Sequence, residues 1–487
     1  MDNLPEQEKH QASPGLGEQV SEQEQSCPDP SQRKGQTRTI LETLRSKHDQ
    51  KILRLRAEYL KCLEEMKDNE ALENTRWFQR ATQASLLLGT KDLNYAPIGT
   101  LDGSILGSGS SSVEDAAVLY MTADEFAKYS KENATSMEKP IVIPGEPEAP
   151  PEEFMARFID ALEISCARNS ITVQDLSLSV TDEDGDAADS FRLVPANTVI
   201  AQIKKPQKEL SNKLNTLPIN LLDLQDFNLV NPPAFLNEPR YQLLRYIDER
   251  VEADVRQQAL PKRQRVKNPT LMPGKKHFQV RRPADVAGCQ RFTIYAQRGA
   301  YSGAHADSLN GTWVKCLKGL KIWIIFPKLH DGEDQSGFES QGSDWIPQNP
   351  EDAQMIVLTP GDVLIMPAGE AVVHAPITAE DALMIGGMYW DTQTICAIVG
   401  NMGWILENPA VSNERNLLQL PAMLEKLNAF VHEYPEKFIN ENLDKKAFLK
   451  EWKQAHDSTT KILRQAKRAE SKAKKPIKSK VPQKRRK

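Results

Sequence analysis

Hydrophobic positions change texture several times along the 487 residues. Residues 1–38 are rich in Gln, Glu, Ser, Pro and Gly, lack apolar periodicity, and are expected to be disordered. A helical segment over 39–90 follows. Leu41, Leu44, Ile52, Leu55, Tyr59, Leu63 and Met66 recur at spacings of three and four with charged residues between them, which is the signature of an amphipathic helix expected to pack on its own chain. Trp77-Phe78 and Leu86-Leu87-Leu88 predict a second helix ending near Gly89.

Residues 91–151 read as a flexible linker, first through GSILGSGSSS and then through the proline cluster PIVIPGEPEAPP at 140–151. Residues 152–215 form a small region of unassigned role, with a helix predicted from Glu152 to Arg168. Its acidic turn DEDGDAAD at 182–189 is not a calcium loop, because the twelfth position counted from Asp182 is Leu193 rather than glutamate.

From 216 to 410, with a core at 277–402, short Val-, Ile- and Trp-rich runs alternate with Pro, Gly and Asp: FTIYAQ, TWVKCLKG, LKIWIIFP, MIVLTPGD, VLIMPAG, VVHAP and ALMIGGMYW. This spacing predicts an all-β barrel or sandwich. Helices are expected over 411–466, then a basic tail over 467–487.

Composition sharpens the picture in three places. No apolar run approaches the roughly 20 residues of a membrane span, and the N-terminus lacks a signal-peptide pattern. The six cysteines contain no CxxC pair, so neither a disulfide framework nor a structural zinc site is expected, and a reducing compartment fits best. The net charge of −5 conceals an asymmetry. Residues 461–487 hold 13 Lys or Arg against one Glu, or +12, leaving −5 − 12 = −17 for the rest. A basic end behind an acidic body, closing on KRRK, points to a nuclear import signal or a nucleic-acid-binding arm. PKRQRVK at 261–267 is a second basic run, expected in an exposed loop.

The β region carries the candidate chemistry. His305 and Asp307 stand at i and i+2, a spacing that puts both side chains on one face of an extended chain. His374 follows 67 residues after Asp307 in VVHAP. Two imidazoles and one carboxylate can cap one face of an octahedral ion and leave the other open, the facial triad of non-haem iron(II) oxygenases. A buried histidine hydrogen-bonded to an aspartate is the structural alternative. Lys321 opens the strand LKIWIIFP, where alternation sets it with Trp323 and Ile325 against Leu320, Ile322, Ile324 and Phe326. A lysine pointing into an apolar interior needs an anion, and the distal carboxylate of the co-substrate 2-oxoglutarate would be one.

The strings GAYSGAHADSLNGTWVKCLKGLKIWIIFP and LTPGDVLIMPAGEAVVHAP resemble a JmjC domain, strongly over residues 278–402 and more weakly back to about 216. The resemblance implies an α+β chain built on a double-stranded β-helix, a cupin-like jelly roll, with flanking helices and disordered termini. It also implies Fe(II) on His305, Asp307 and His374, and 2-oxoglutarate on Lys321, with Ser302, Tyr301 and Asn310 as further co-substrate contacts. The implied reaction converts 2-oxoglutarate to succinate and carbon dioxide while hydroxylating a C–H bond of a protein side chain, as a histone lysine demethylase or a protein hydroxylase. The acidic body would attract basic segments such as histone tails. The last barrel strand, ALMIGGMYW, departs from the pattern in carrying no Asn or Ser, with Tyr389 its nearest polar group. The competing class is a catalytically inactive nuclear binding protein that keeps the fold as a scaffold.

Overall fold

The computed structural model describes residues 30–89, 93–100, 105–106, 116–132, 137–166, 170–180, 191–205, 209–211, 213–259, 286–327, 329, 333–414, 417–439 and 444–473. The acidic turn at 182–189, the basic run at 261–267, His277, and the ends 1–29 and 474–487 lie outside the described residues. Ser46–Lys487 forms one compact unit, separate from Met1–Arg45.

The strands are β1 (Ile98–Thr100), β2 (Ile105–Leu106), β3 (Val118–Tyr120), β4 (Ile141–Ile143), β5 (Ser170–Gln174), β6 (Phe191–Pro195), β7 (Asn220–Gln225), β8 (Phe292–Ala296), β9 (Thr312–Ile325), β10 (Gln354–Leu358), β11 (Val363–Met366) and β12 (His374–Met388). The helices are α1 (Pro30–Met66), α2 (Glu70–Glu73), α3 (Arg76–Leu87), α4 (Ala123–Glu132), α5 (Pro151–Cys166), α6 (Ala196–Ile203), α7 (Leu243–Ala259), α8 (Val286–Gln290), α9 (Glu333–Gln341), α10 (Ile395–Glu407), α11 (Leu420–Glu433) and α12 (Lys445–Ala473).

The strands join one mixed, mostly antiparallel sheet in the order β2-β1-β3-β4-β11-β9-β12-β8-β7-β5-β6, with β10 branching from β9. Only β1–β3 and β3–β4 are parallel among the described pairs. The ladder does not close on itself. None of the described helices is long and apolar enough to cross a membrane.

Two long strands organise the site. β9 pairs with β12 along nearly its whole length, with β11 through its first half and with β10 through its second. Between the halves the register shifts, and Gly319 adopts φ +84°. The parity of side chains inverts there. Val314 and Cys316 before the bend share an apolar cluster with Trp323 and Ile325 after it. The opposite face of the second half, Leu320, Ile322, Ile324 and Phe326, packs with α1 and α3. The alternation expected around Lys321 is therefore present.

On α1, Ile52, Leu55, Tyr59, Cys62 and Met66 are buried and meet Trp77, Ala81 and Ala84 of α3. The helical segment expected over 39–90 thus backs the sheet, and α1 itself begins at Pro30, inside the stretch expected to be disordered.

The flexible linker expected over 91–151 needs correction. Its described residues contain β1, β3, α4 and β4, and β4 pairs with β11 at Ile141–Ile365, Val142–Leu364 and Ile143–Val363. The prolines suggested an extended connection, but the apolar run between Pro140 and Pro144 is buried and has a strand to pair with. Prolines at a strand's ends delete no ladder hydrogen bond within it. The region 152–215 likewise adds β5 and β6 to the sheet, and α12 extends to Ala473, seven residues past the expected helix end at 466.

The bend at Gly319 generates a test. A Cβ at this position would lie 2.2 Å from the carbonyl oxygen of Asp381, on top of the left-handed backbone. Gly319→Ala should cost about 2 kcal/mol or more of stability. Chemical denaturation of both proteins measures it, and equal midpoints would count against the bend as described.

Candidate metal centre

A short extended segment before β9 is zipped onto the start of β12. His305 N donates to His374 O and His374 N to His305 O, both at 2.9 Å; Thr378 N donates to Ala300 O at 2.9 Å and Gly299 N to Thr378 O at 2.8 Å. This pairing carries the two histidines, distant in sequence, to facing positions. Gly303, at φ +82°, makes the kink that aims His305, and a Cβ there would lie 2.5 Å from Ser343 O.

One ligand atom each from His305, Asp307 and His374 can be chosen so that all lie within 4.8 Å of one another. The imidazole centroids are 4.4 Å apart. Each Nδ1 is engaged by a backbone carbonyl: His305 Nδ1 donates to Gly303 O at 2.8 Å, and His374 Nδ1 to Val372 O at 2.9 Å. That fixes the tautomer and leaves both Nε2 lone pairs for a ligand.

Thr312 Oγ1 donates to Asp307 Oδ2, and Oδ1 faces His374 Nε2 at 3.8 Å. That distance is too long for a hydrogen bond, so the structural alternative of a histidine held by the aspartate is not met. Burial holds His305 well below the usual histidine range and hence neutral, the form that coordinates a metal. The donor set fits a divalent cation, and the mix of imidazole and carboxylate is consistent with iron.

Lys321 is 2% exposed. Its ammonium forms no ion pair or hydrogen bond among the described residues, and burial pushes its pKa down to about 8. It sits opposite Thr378 on β12, while Trp323 sits opposite Pro376 and Ile325 opposite His374. The Trp323 ring lies 5.1 Å from the His374 ring. Thr378 Oγ1 and Trp323 Nε1 are buried without a hydrogen-bond partner among the described residues. Three polar groups, all able to donate, therefore share this apolar face without acceptors. Unsatisfied groups of this kind call for a ligand or ordered water.

The other expected contacts divide. Ser302 is buried near this row, its hydroxyl accepting from Asn220 Nδ2 at 3.1 Å, while Asn220 Oδ1 is left without a partner. Asn310, at φ +57°, lies beside the triad: its Oδ1 accepts from Gly369 N at 3.1 Å and its Nδ2 is unpartnered. Tyr301 is brought elsewhere. It packs in the cluster on the outer sheet face with Ile322, Ile324 and Trp77, under Arg80, and so stands apart from Lys321. One residue's difference from Ser302 on an extended chain sends the two side chains to opposite faces. Tyr389 is also structural, donating to Met366 O at 3.1 Å among Phe235 and Tyr241.

Sequence reasoning passed over Thr312, Thr378 and Asn220. Trp323 was placed on the right face without a role. Only the register reveals Thr378 and Asn220, since nothing in their local sequence distinguishes them.

A cavity of about 10 Å³ opens beside Asp307, lined by Asn310, Gly311, Met366, Pro367, Glu370, Ala371 and Val372. It has room for about one water.

No family model matches the chain. A stretch of 151 residues, 31% of the chain, is 34% identical to KK-1 biosynthesis cluster protein D of Curvularia clavata, where it covers 15% of that protein. The chain thus spans a small part of this relative's length.

The metal reading has a direct test. His374→Ala should abolish stoichiometric binding of Fe(II) or Co(II), and Thr312→Val should weaken it about tenfold by freeing Asp307 to rotate. Equilibrium dialysis with metal analysis reads both, and unchanged metal content in His374→Ala would refute the site.

Proposed function

We propose that the chain is an Fe(II)- and 2-oxoglutarate-dependent dioxygenase of the JmjC type, acting on a protein side chain. The observation that carries this reading is the pairing of a facial set of two histidines and one aspartate with an unneutralised buried lysine on the same sheet face. Lys321 and His374 lie four residues apart along the paired strands, since Lys321 faces Thr378. Four residues of strand span roughly 13 Å, a distance that an extended lysine and a five-carbon dicarboxylate bridge between them. The double-stranded β-helix belongs to this proposal. Support for it comes from the bent strands β9 and β12 and from the extended segment paired with the far edge of β12.

Bound there, the iron and its co-substrate would supply oxidation of an unactivated C–H bond. The chain's own contributions are positional. His305, Asp307 and His374 would occupy one face of the ion. The Gly303 and Val372 carbonyls keep both imidazoles in the coordinating tautomer. Lys321, with Thr378 and Ser302 alongside, would hold the distal carboxylate, and Trp323 packs with its ring centroid 5.1 Å from that of His374. Demethylation of a histone lysine and hydroxylation of a side-chain carbon both fit this arrangement. The reading places the protein in the nucleus, with the basic C-terminal end as the import signal.

One observation favours the competing reading of a catalytically inactive scaffold: the small cavity beside Asp307 holds no more than a water, and Lys321 is not among its lining residues. Incubation with Fe(II), 2-oxoglutarate and histone peptides separates the two. Activity gives succinate, with formaldehyde for demethylation or an oxygen-bearing peptide for hydroxylation. Absence of succinate under all conditions would establish the scaffold. Succinate release stimulated by a small metabolite and by no peptide would overturn the protein-substrate part.

Co-substrate binding should also show the lysine. Lys321→Ala is expected to weaken 2-oxoglutarate binding by about 3 kcal/mol, the loss of a buried charge pair, while metal binding persists. In the unaltered protein, affinity should fall as pH rises above about 8, where free Lys321 loses its proton. The bound anion needs the ammonium, so binding must then take up a proton, and the fall approaches about tenfold per pH unit. Calorimetry across pH measures this, and a flat profile would remove Lys321 from the role.

A further inference from the structure

The C-terminal helix α12 carries a feature that the metal centre does not use. Its inward face is fixed by packing: Phe448 stacks on Phe438, Trp452 Nε1 donates to Asn428 Oδ1 at 3.0 Å, and Thr459 Oγ1 donates to Val399 O at 2.8 Å. The outward face is thereby fixed too. Along it, Lys446, Lys450, Lys453, Asp457, Lys461, Arg464 and Arg468 follow one another at steps of three or four, and all seven are exposed. Six are cations. From Lys446 to Arg468 is 468 − 446 = 22 residues, a straight stripe about 33 Å long at the helical rise.

None of these six cations forms an ion pair among the described residues. Elsewhere on the same unit, lysines find carboxylates: Lys315 with Glu148, Lys318 with Glu152, Lys426 with Asp254. Lys446 with Lys450 and Arg464 with Arg468 are like-charge pairs at i, i+4, an unfavourable spacing, and Asp457 offsets only the middle of the row between Lys453 and Lys461, so an external polyanion would relieve its two ends.

We propose that this face of α12 is a docking surface for the phosphate backbone of a nucleic-acid duplex. The stripe is about as long as one turn of duplex, roughly 34 Å, and offers point charges without base-reading geometry. Binding is therefore independent of sequence. An anionic membrane is the poorer occupant. Membrane-surface helices offer an apolar face to the lipid, whereas the apolar side of α12 is taken up by the fold and the residues flanking the stripe, Gln454, Ser458 and Gln465, are polar and exposed. The basic residues that follow α12 continue the same charge.

The test is fluorescence anisotropy of the full chain with a labelled 20-base-pair DNA duplex over a KCl series, and with vesicles containing phosphatidylserine. A quadruple variant, Lys450→Gln with Lys453→Gln, Lys461→Gln and Arg464→Gln, should bind at least tenfold more weakly. Its slope of log affinity against log salt should be shallower by about 3 to 4, at close to 0.9 per lost phosphate contact. The variant with Lys450→Arg, Lys453→Arg and Lys461→Arg should bind like the unaltered chain, which separates charge from a folding defect. A chain lacking residues 474–487 should still bind with a measurable salt slope. Three results would overturn the proposal: equal binding by the quadruple variant, no duplex binding by the full chain, or binding to vesicles but not duplex.

Discussion

Two backbone hydrogen bonds, from His305 N to His374 O and from His374 N to His305 O, hold together parts of the chain 69 residues apart (374 − 305). Everything at the candidate centre depends on them. They bring the two imidazoles side by side, tilted 54° to one another, and each ring is then locked by a carbonyl two residues before it, Gly303 for His305 and Val372 for His374. The aspartate is held independently by Thr312 at the first position of β9. The ligand set is therefore positioned by main chain and by strand ends, which are the stiffest elements available for the purpose.

The second constraint is the bend shared by β9 and β12. A flat strand would send Val314 and Cys316 to one face and Lys321, Trp323 and Ile325 to the other. The bulge and Gly319 restore both groups to one interior. In that interior Lys321 Nζ, Thr378 Oγ1 and Trp323 Nε1 have no acceptor among the described residues, and burying such groups unsatisfied is costly. The helices α1 and α3 cover the other face with Ile52, Leu55, Tyr59 and Trp77, so the strands that carry the site are packed on both sides. Under the proposed function, the distal carboxylate of the co-substrate would accept from these buried donors.

Charge is partitioned in the same deliberate way. Lys315 and Lys318 on β9 are neutralised by Glu148 and Glu152, whereas Lys446, Lys450, Lys453, Lys461, Arg464 and Arg468 on the outer face of α12 form no ion pair among the described residues. The candidate metal centre is enclosed and the basic stripe is open, so the two lie in opposite electrostatic environments.

The triad, the lysine and its face were legible from residue types and alternation alone, because His-x-Asp, VVHAP and LKIWIIFP are local patterns whose periodicity fixes which side chains travel together. The amphipathic stripe of α1 was legible for the same reason. Three things were not. The prolines around Ile141–Ile143 read as a linker, and only a partner strand, β11, turned that run into sheet. Tyr301 and Ser302 looked equivalent beside His305, and only the pairing with Ile377 and Pro376 sent one outward and one inward. Thr378 and Asn220 gave no local signal at all. Sequence by itself determined the chemistry on offer and the face each strand residue shares with its neighbours, since both follow from side-chain type and backbone period. Tertiary structure alone decided which faces meet, because strand register couples residues far apart in the chain through hydrogen bonds that carry no side-chain identity.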